Sequence, residues 1–416
     1  MTKKIRTILF LIFLFLFLLI TPAAVFYSQG YRIDFENRKI SQTGGLFLST
    51  LPKQAEIYLD EKLEKRTDFF FGSALIENLL PKKYKIEIKK EGCHSWEKTL
   101  EIKEKEVVEV RNIVLFPKDL NFHILISEVK DFWFSPDQRK IVLRTPTFSP
   151  PDKEIGWALK LYELDKEVKS HLIEKGDVSS GEVDLLNLKF SEDSKEIYLE
   201  VGTAEQLKYF TLNLEETPPA LSESETPKPP LENAVVYQKV NNDIYYLDNS
   251  GYLFKNEEKL TREPFPVKKE TEYALEIFQN FIFLQEKDDL YKLNQESKSF
   301  EKFFEGINAL KVSPDFKKLV YFSDYEIWIL FLRESEENLF LIRLSEKIRD
   351  VSWLNSNYLI FNSGDKIKIA EIDTRDRINV IDIAELKNPR IFWNEIDKRL
   401  YVLSEENLYR SRALLP

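Results

Sequence analysis

The sequence predicts a mainly β protein: one N-terminal transmembrane helix, a small β-sandwich, and then a β-propeller of seven blades, with six and eight as the alternatives. Three observations lead there. The opening 26 residues hold a charge-free apolar run, residues 44–116 alternate between apolar and polar with period two, and a unit of roughly forty residues recurs from residue 131 onward. The expected division is a cytoplasmic head at 1–6, an anchor at 7–26, a spacer at 27–43, a sandwich at 44–118 and a propeller at 119–416.

The anchor comes first. Lys3, Lys4 and Arg6 precede an uncharged stretch from Thr7 to Phe26, and at about 1.5 Å per helical residue such a run spans a hydrocarbon core of about 30 Å. The basic head stays cytoplasmic, which puts the bulk of the chain outside a cell membrane crossed once. Pro22-Ala23-Ala24 also offers small residues to a signal peptidase. Apolar character runs on through Val25 and Phe26, so a retained anchor is the preferred reading, and both readings export the rest.

Charge and cysteine content narrow the partners. Beyond the head, 57 basic groups face 70 acidic ones, a formal charge of −13, and phosphate binding needs net basic surface. No nucleic-acid partner is expected. One Cys and one Met provide neither a disulfide framework nor a Cys-based metal site.

After a spacer hairpin around Asn37, strands are expected at Gly44–Pro52, Ala55–Asp60, Tyr84–Lys90, Lys98–Lys103 and Val107–Leu115. Their alternation makes one buried face each. Lys82, Lys83, Lys85, Lys89 and Lys90 could line an anion-binding face, but on alternating strands such residues ordinarily form the solvated side. The turn Pro52-Lys53-Gln54-Ala55, the strand Ile57–Asp60, Leu80-Pro81 with Tyr84, and the hairpin Lys89–Gly92 resemble the PEGA family over residues 44–116. That resemblance implies a surface-exposed β-domain in a cell-envelope setting. Gln54, Glu61 and Lys82 stand where the family usually has Gly, so those turns are expected to use angles open to residues with a Cβ.

In the repeat, a leading residue is followed seven positions later by the start of a strong strand: Phe134 to Ile141, Phe190 to Ile197, Tyr237 to Ile244, Val312 to Leu319 and Trp393 to Leu400. Shorter-turned copies start at Phe278 and Trp353. A lone meander leaves edges unpaired, and arranging several around an axis protects them. The last unit looks one strand short, and Phe122–Ile126 is expected to complete it. The Phe-Ser-Pro-Asp signature at 134–137 resembles WD40-like, TolB-type propeller repeats over about residues 120–412, although Gln138, Ser194 and Phe316 occupy the usual Gly place. Residues 215–231, rich in Pro, Ser and Glu, bury too little apolar surface to order and are expected to form a disordered insertion.

No catalytic, cofactor-binding or metal site is predicted, and the binding residues are unknown at this level. Nucleophile elbows, zinc-helix motifs and phosphate-cradling Gly loops are absent from the sequence. His94, His123 and His171 are far apart and fall in different units; Cys93 has no activating neighbour in sequence; Trp96, Trp133, Trp353 and Trp393 read as packing residues. Asp137, Asp193, Asp243, Asp315 and Asp397 fall in turns, where local hydrogen bonds explain them. The expected function is therefore a membrane-anchored extracytoplasmic binding or scaffolding protein, its partners the membrane and either cell-wall glycan or other envelope proteins. The alternative is an envelope hydrolase acting on glycans or peptides through a carboxylate pair at the propeller mouth. A transmembrane sensor ranks last, because a six-residue head offers little to receive a signal.

Overall fold

The computed structural model describes residues 3–35, 38–150, 153–179, 181–203, 206–216, 218–224, 233–333 and 337–415. The chain divides into two compact units: residues 1–119 with Glu371–Ile381 and Leu414–Pro416, and Leu120–Ala370 with Asp382–Ala413. The membership of 371–381 in the first unit was not expected. That segment joins two strands of the second unit in sequence.

In the first unit, helix Lys3–Ser28 contains an apolar stretch, Ile5–Ser28, long enough to cross a membrane or to serve as a signal sequence. A hairpin of Tyr31–Asp34 and Lys39–Gln42 follows. The unit holds a three-stranded sheet, Ser73–Leu79 beside Gly44–Leu51 beside Val107–Val114, and a four-stranded one ordered Lys62–Arg66, Glu56–Leu59, Lys83–Lys89, Trp96–Glu101. Strands Lys62–Arg66 and Ser73–Leu79 escaped the sequence pattern, because the first is exposed along its whole length and the second alternates only at its start. Lys83–Lys89 alternates as expected: Tyr84, Ile86 and Ile88 point into a core with Leu46, Leu48, Ile57, Trp96 and Ile113. Gln54 and Glu61 adopt φ of 57° and 69°, so two of the three Gly-replaced turns do use the left-handed region that favours Gly. Lys82 does not.

The second unit contains seven four-stranded antiparallel sheets among the described residues. Six are sequential meanders, whose first strands are Asp131–Phe134, Val183–Phe190, Ala234–Val240, Tyr273–Phe278, Ala309–Val312 and Ile348–Asn355. The seventh consists of Arg390–Asn394, Arg399–Ser404 and Asn407–Ala413, and its fourth strand is His123–Ser127, which pairs with Asn407–Ala413. The strand ahead of the first repeat thus completes the last sheet, as the missing strand required.

The seven-residue step has a structural counterpart. Phe134 pairs Ile141, Phe190 pairs Ile197, Val312 pairs Leu319 and Trp393 pairs Leu400. The third unit departs from it. Its first strand runs on to Val240 and turns at Asn241, so Ile244 pairs Lys239 and Tyr237 pairs Tyr246. An Asn with φ 55° makes the tighter turn affordable sterically, since Asn tolerates the left-handed region.

One other expectation is corrected. Ala220–Ser224, inside the expected disordered insertion at 215–231, is the outer strand of the second sheet and pairs with Leu207–Asn213; backbone pairing along an edge supplies what side-chain hydrophobicity lacks. Residues 217 and 225–231 of that insertion lie outside the described residues. One helical turn, Lys175–Val178, stands among the strands of this unit.

Candidate functional site

The recurrent turn fixes where each first strand ends. In three sheets a Ser opens it: Ser135, Ser191 and Ser313 donate through Oγ to Asp137, Asp193 and Asp315 at 2.5, 2.6 and 2.5 Å. Their backbone N–H groups bond the carbonyls of Lys140, Glu196 and Lys318. The residue three positions on, Gln138, Ser194 or Phe316, has φ near 55–61° and returns a hydrogen bond to the Ser carbonyl. The Asp residues named from sequence are therefore held locally; Asp243 meets Lys255 at 2.8 Å, and Asp397 accepts from Tyr401 at 2.6 Å.

Neighbouring sheets join through these ends. Asp137 N donates to Ser194 Oγ at 3.2 Å and Lys140 Nζ to the Ser194 carbonyl at 2.8 Å. Gln279 donates to the Phe316 carbonyl at 2.8 Å, and Asn394 to that of Gln138 at 2.8 Å. Apolar clusters fill the gaps between sheets. One joins Ile126, Tyr401 and Leu408 of the seventh sheet to Phe132, Ile141 and Leu143 of the first, and another joins Leu247 and Leu253 to Leu275, Ile282 and Leu284.

First strands also carry charge toward one another. Arg390 of the seventh sheet forms an ion pair with Asp131 of the first and donates to the Phe132 carbonyl at 2.7 Å. Lys311 of the fifth donates to Ser352 Oγ of the sixth at 3.3 Å and is attracted by Asp350. Glu276 of the fourth is attracted by Lys189 of the second, across the intervening third sheet. Charges of both signs occur on these strands: Asp131, Asp184, Lys189, Lys239, Glu276, Lys311, Arg349, Asp350 and Arg390.

Crowding by protein perturbs two of these groups. Burial pushes the Glu276 carboxyl up, with Lys189 opposing, and it pushes the Lys311 ammonium down, with Asp350 opposing. Lys311 is nonetheless reached by solvent. Asp350 is positioned from behind: its N–H donates to Asn362 Oδ1 at 2.7 Å, while fully buried Asn362 donates to the Pro389 carbonyl at 2.5 Å.

None of these residues was singled out from sequence, yet a signal existed. Asp131, Asp350 and Arg390 each stand three positions before a leading residue, and Lys189 and Lys311 stand one position before. The residues that were weighed go elsewhere. His94 is in the first unit, His123 accepts from Arg410 Nε at 3.2 Å in the seventh sheet, and His171 pairs with Lys160 in the first sheet. Among the described residues no group of three His, Cys, Asp or Glu could hold a metal. Trp96 is buried and donates to Glu371 at 2.8 Å; Trp353 is buried and donates to the Lys311 carbonyl at 2.9 Å. Lys82, Lys85 and Lys89 pair with Asp60, Glu97 and Glu87. Lys89 and Lys90 also border an open cleft of about 700 Å³ with Arg66 and Lys118, opposed by Glu56 and Glu91.

No protein-family model and no curated protein matches this chain. Among solved structures, the chain is similar to the β-propeller domain of Swd1 from Myceliophteria thermophila, at 12% identity and a TM-score of 0.40, covering 70% of this chain and 99% of that one. It is also similar to virginiamycin B lyase from Staphylococcus aureus (12% identity, TM-score 0.42, 70% and 99% covered) and to YCF48 from Cyanidioschyzon merolae (12%, 0.39, 70% and 98%).

Proposed function

We propose that this chain is a membrane-anchored extracytoplasmic platform of the cell envelope, in which a PEGA-like sandwich follows the anchor and a seven-bladed propeller binds partners. The observation that supports the reading is a series of seven four-stranded sheets, among the described residues, tied to one another through their turns and through first-strand side chains such as Arg390 to Asp131 and Lys311 to Ser352. A frame of that kind holds a fixed surface without any reactive side chain, and loops at the sheet ends add contact surface. The helix Lys3–Ser28 supports the anchor, with Lys3, Lys4 and Arg6 on the cytoplasmic side. Partners are envelope proteins or wall glycan. For the hydrolase reading, the carboxyl raised by burial is Glu276, and its charged neighbour is Lys189 rather than a second carboxylate.

The test uses the full chain reconstituted in lipid nanodiscs and exposed separately to isolated wall glycan and to solubilised envelope proteins. The expected result is retention of a defined partner that falls about tenfold or more in a Lys189→Ala, Lys311→Ala variant. Retention unchanged by that variant, or none with either fraction, overturns the reading.

A further inference from the structure

The first unit displays an apolar tip that its own fold holds open. Phe69, Phe70 and Phe71 are 65, 75 and 83% exposed. Asp68 builds the turn. Its carboxylate accepts from the N–H groups of Phe70 and Phe71 at 2.8 and 2.6 Å and from Ser73 N and Oγ, both at 2.8 Å. Lys53 Nζ adds a bond to the Phe70 carbonyl at 2.6 Å, and Gly72 takes φ +67°, where a Cβ would meet the Thr50 carbonyl at 2.5 Å. Those bonds to the ionised form hold the Asp68 carboxyl well below the usual carboxylate range.

Strand Ser73–Leu79 leads from this tip to the anchor. It is the edge of its sheet, and at its far end Asn78 accepts from Arg32 Nη2 at 2.6 Å. Arg32 lies 3.6 Å over the Tyr27 ring at the end of the helix, and Phe26 packs edge-on against Tyr31. Thr43 N donates to the Gly30 carbonyl at 2.9 Å. The same strand therefore has the helix exit at one end and three exposed Phe at the other, about 20 Å apart at 3.3 Å per residue. The surface between mixes apolar and charged side chains, Glu64 and Glu77 among them. Ile33, Phe35 and Ile40 of the hairpin and Leu63 and Leu75 along the edges are exposed, and Lys62 and Lys65 of the neighbouring edge strand are exposed beside them.

We propose that the first unit lies along the bilayer on this edge, with the Phe69-Phe70-Phe71 turn set into the headgroup–acyl boundary as a second attachment point. The occupant of the apolar tip is the lipid surface that the helix already enters, which the tether keeps within reach at high effective concentration. Aromatic rings favour that boundary, and the lysines complement anionic headgroups. This inference rests on the anchor reading above.

The experiment uses the full chain with Cys93→Ser, reconstituted in vesicles of phosphatidylethanolamine and phosphatidylglycerol. Single cysteines are introduced by Phe70→Cys, Lys85→Cys or Phe15→Cys and carry an environment-sensitive fluorophore. At position 70, lipid bearing a quencher near the headgroup is expected to remove about half or more of the emission; at 85 it removes none, and at 15 a quencher deep in the acyl chain is effective. If position 70 behaves like 85 while 15 is quenched, the tip does not touch lipid and the proposal falls with the anchor intact. If 15 is not quenched either, the anchor reading fails first and takes the proposal with it. Shielding at 70 that grows with protein-to-lipid ratio without quenching assigns the tip to a second copy and overturns the proposal.

Discussion

Lys98 shows how much one side chain can hold. It is fully buried in the first unit, 2.6 Å from Glu371 Oε1, and it donates to the carbonyls of Asp373, Arg375 and Arg377 at 2.8, 2.9 and 2.7 Å. A short run of backbone wraps the ammonium as ligands wrap a cation. Glu371 also accepts from Trp96 Nε1 and Asn379 Nδ2, both at 2.8 Å. Removing the cation leaves that carboxylate buried without its charge partner, which costs about 3–5 kcal/mol, whereas removing both charges costs less. Lys98→Met is thus expected to abolish hydrogen-exchange protection in strands Lys83–Lys89 and Trp96–Glu101, and Lys98→Met with Glu371→Gln to restore part of it. Nothing in the sequence near Lys98 pointed here: an alternating strand marks it only as inward-facing, and its partners are more than 270 residues away.

Strands and turns were the most readable level. Alternation exposed Lys83–Lys89, and the Ser-x-Asp signal located three turns whose side chains bond as residue types suggest. What the signal could not report was the price of lacking Gly. Phe316 sits at φ 56° and is 62% exposed. Left-handed backbone costs a residue with a Cβ about 1–2 kcal/mol, partly offset because Gly is freer in the unfolded chain. Phe316→Gly is therefore expected to raise stability by up to about 1 kcal/mol in denaturant titration, leaving the bond from Gln279 to the residue 316 carbonyl in place. The third unit escaped its predicted register for a related reason: Asn241 accepts a left-handed angle and shortens the turn, a choice that spacing of apolar residues does not encode.

At the scale of the second unit, the decisive strand is His123–Ser127. It pairs with Asn407–Ala413, and its Ile126 packs in one cluster with Phe132 and Ile141 of the first sheet and Tyr401 and Leu408 of the seventh. Ile126→Ala should cost about 2–5 kcal/mol. Exchange protection is expected to fall together in Asp131–Phe134 and Arg390–Asn394, while Leu253→Ala, in the cluster of the third and fourth sheets, loosens those sheets instead. Loss confined to the seventh sheet after Ile126→Ala would show that the two ends of the unit are not coupled.

Local chemistry was enough to read the helix, the strand periods, the repeat length and even the need for a borrowed strand, because each follows from apolar spacing within a few residues or from an unpaired edge that must be covered. Long-range geometry decided the rest. Whether Asp131 meets Arg390, whether Lys189 feels Glu276, whether 371–381 wraps Lys98 and whether three Phe stay outside depend on which distant backbones come together, and the energy of a charge or a ring is set by those neighbours rather than by its place in the chain.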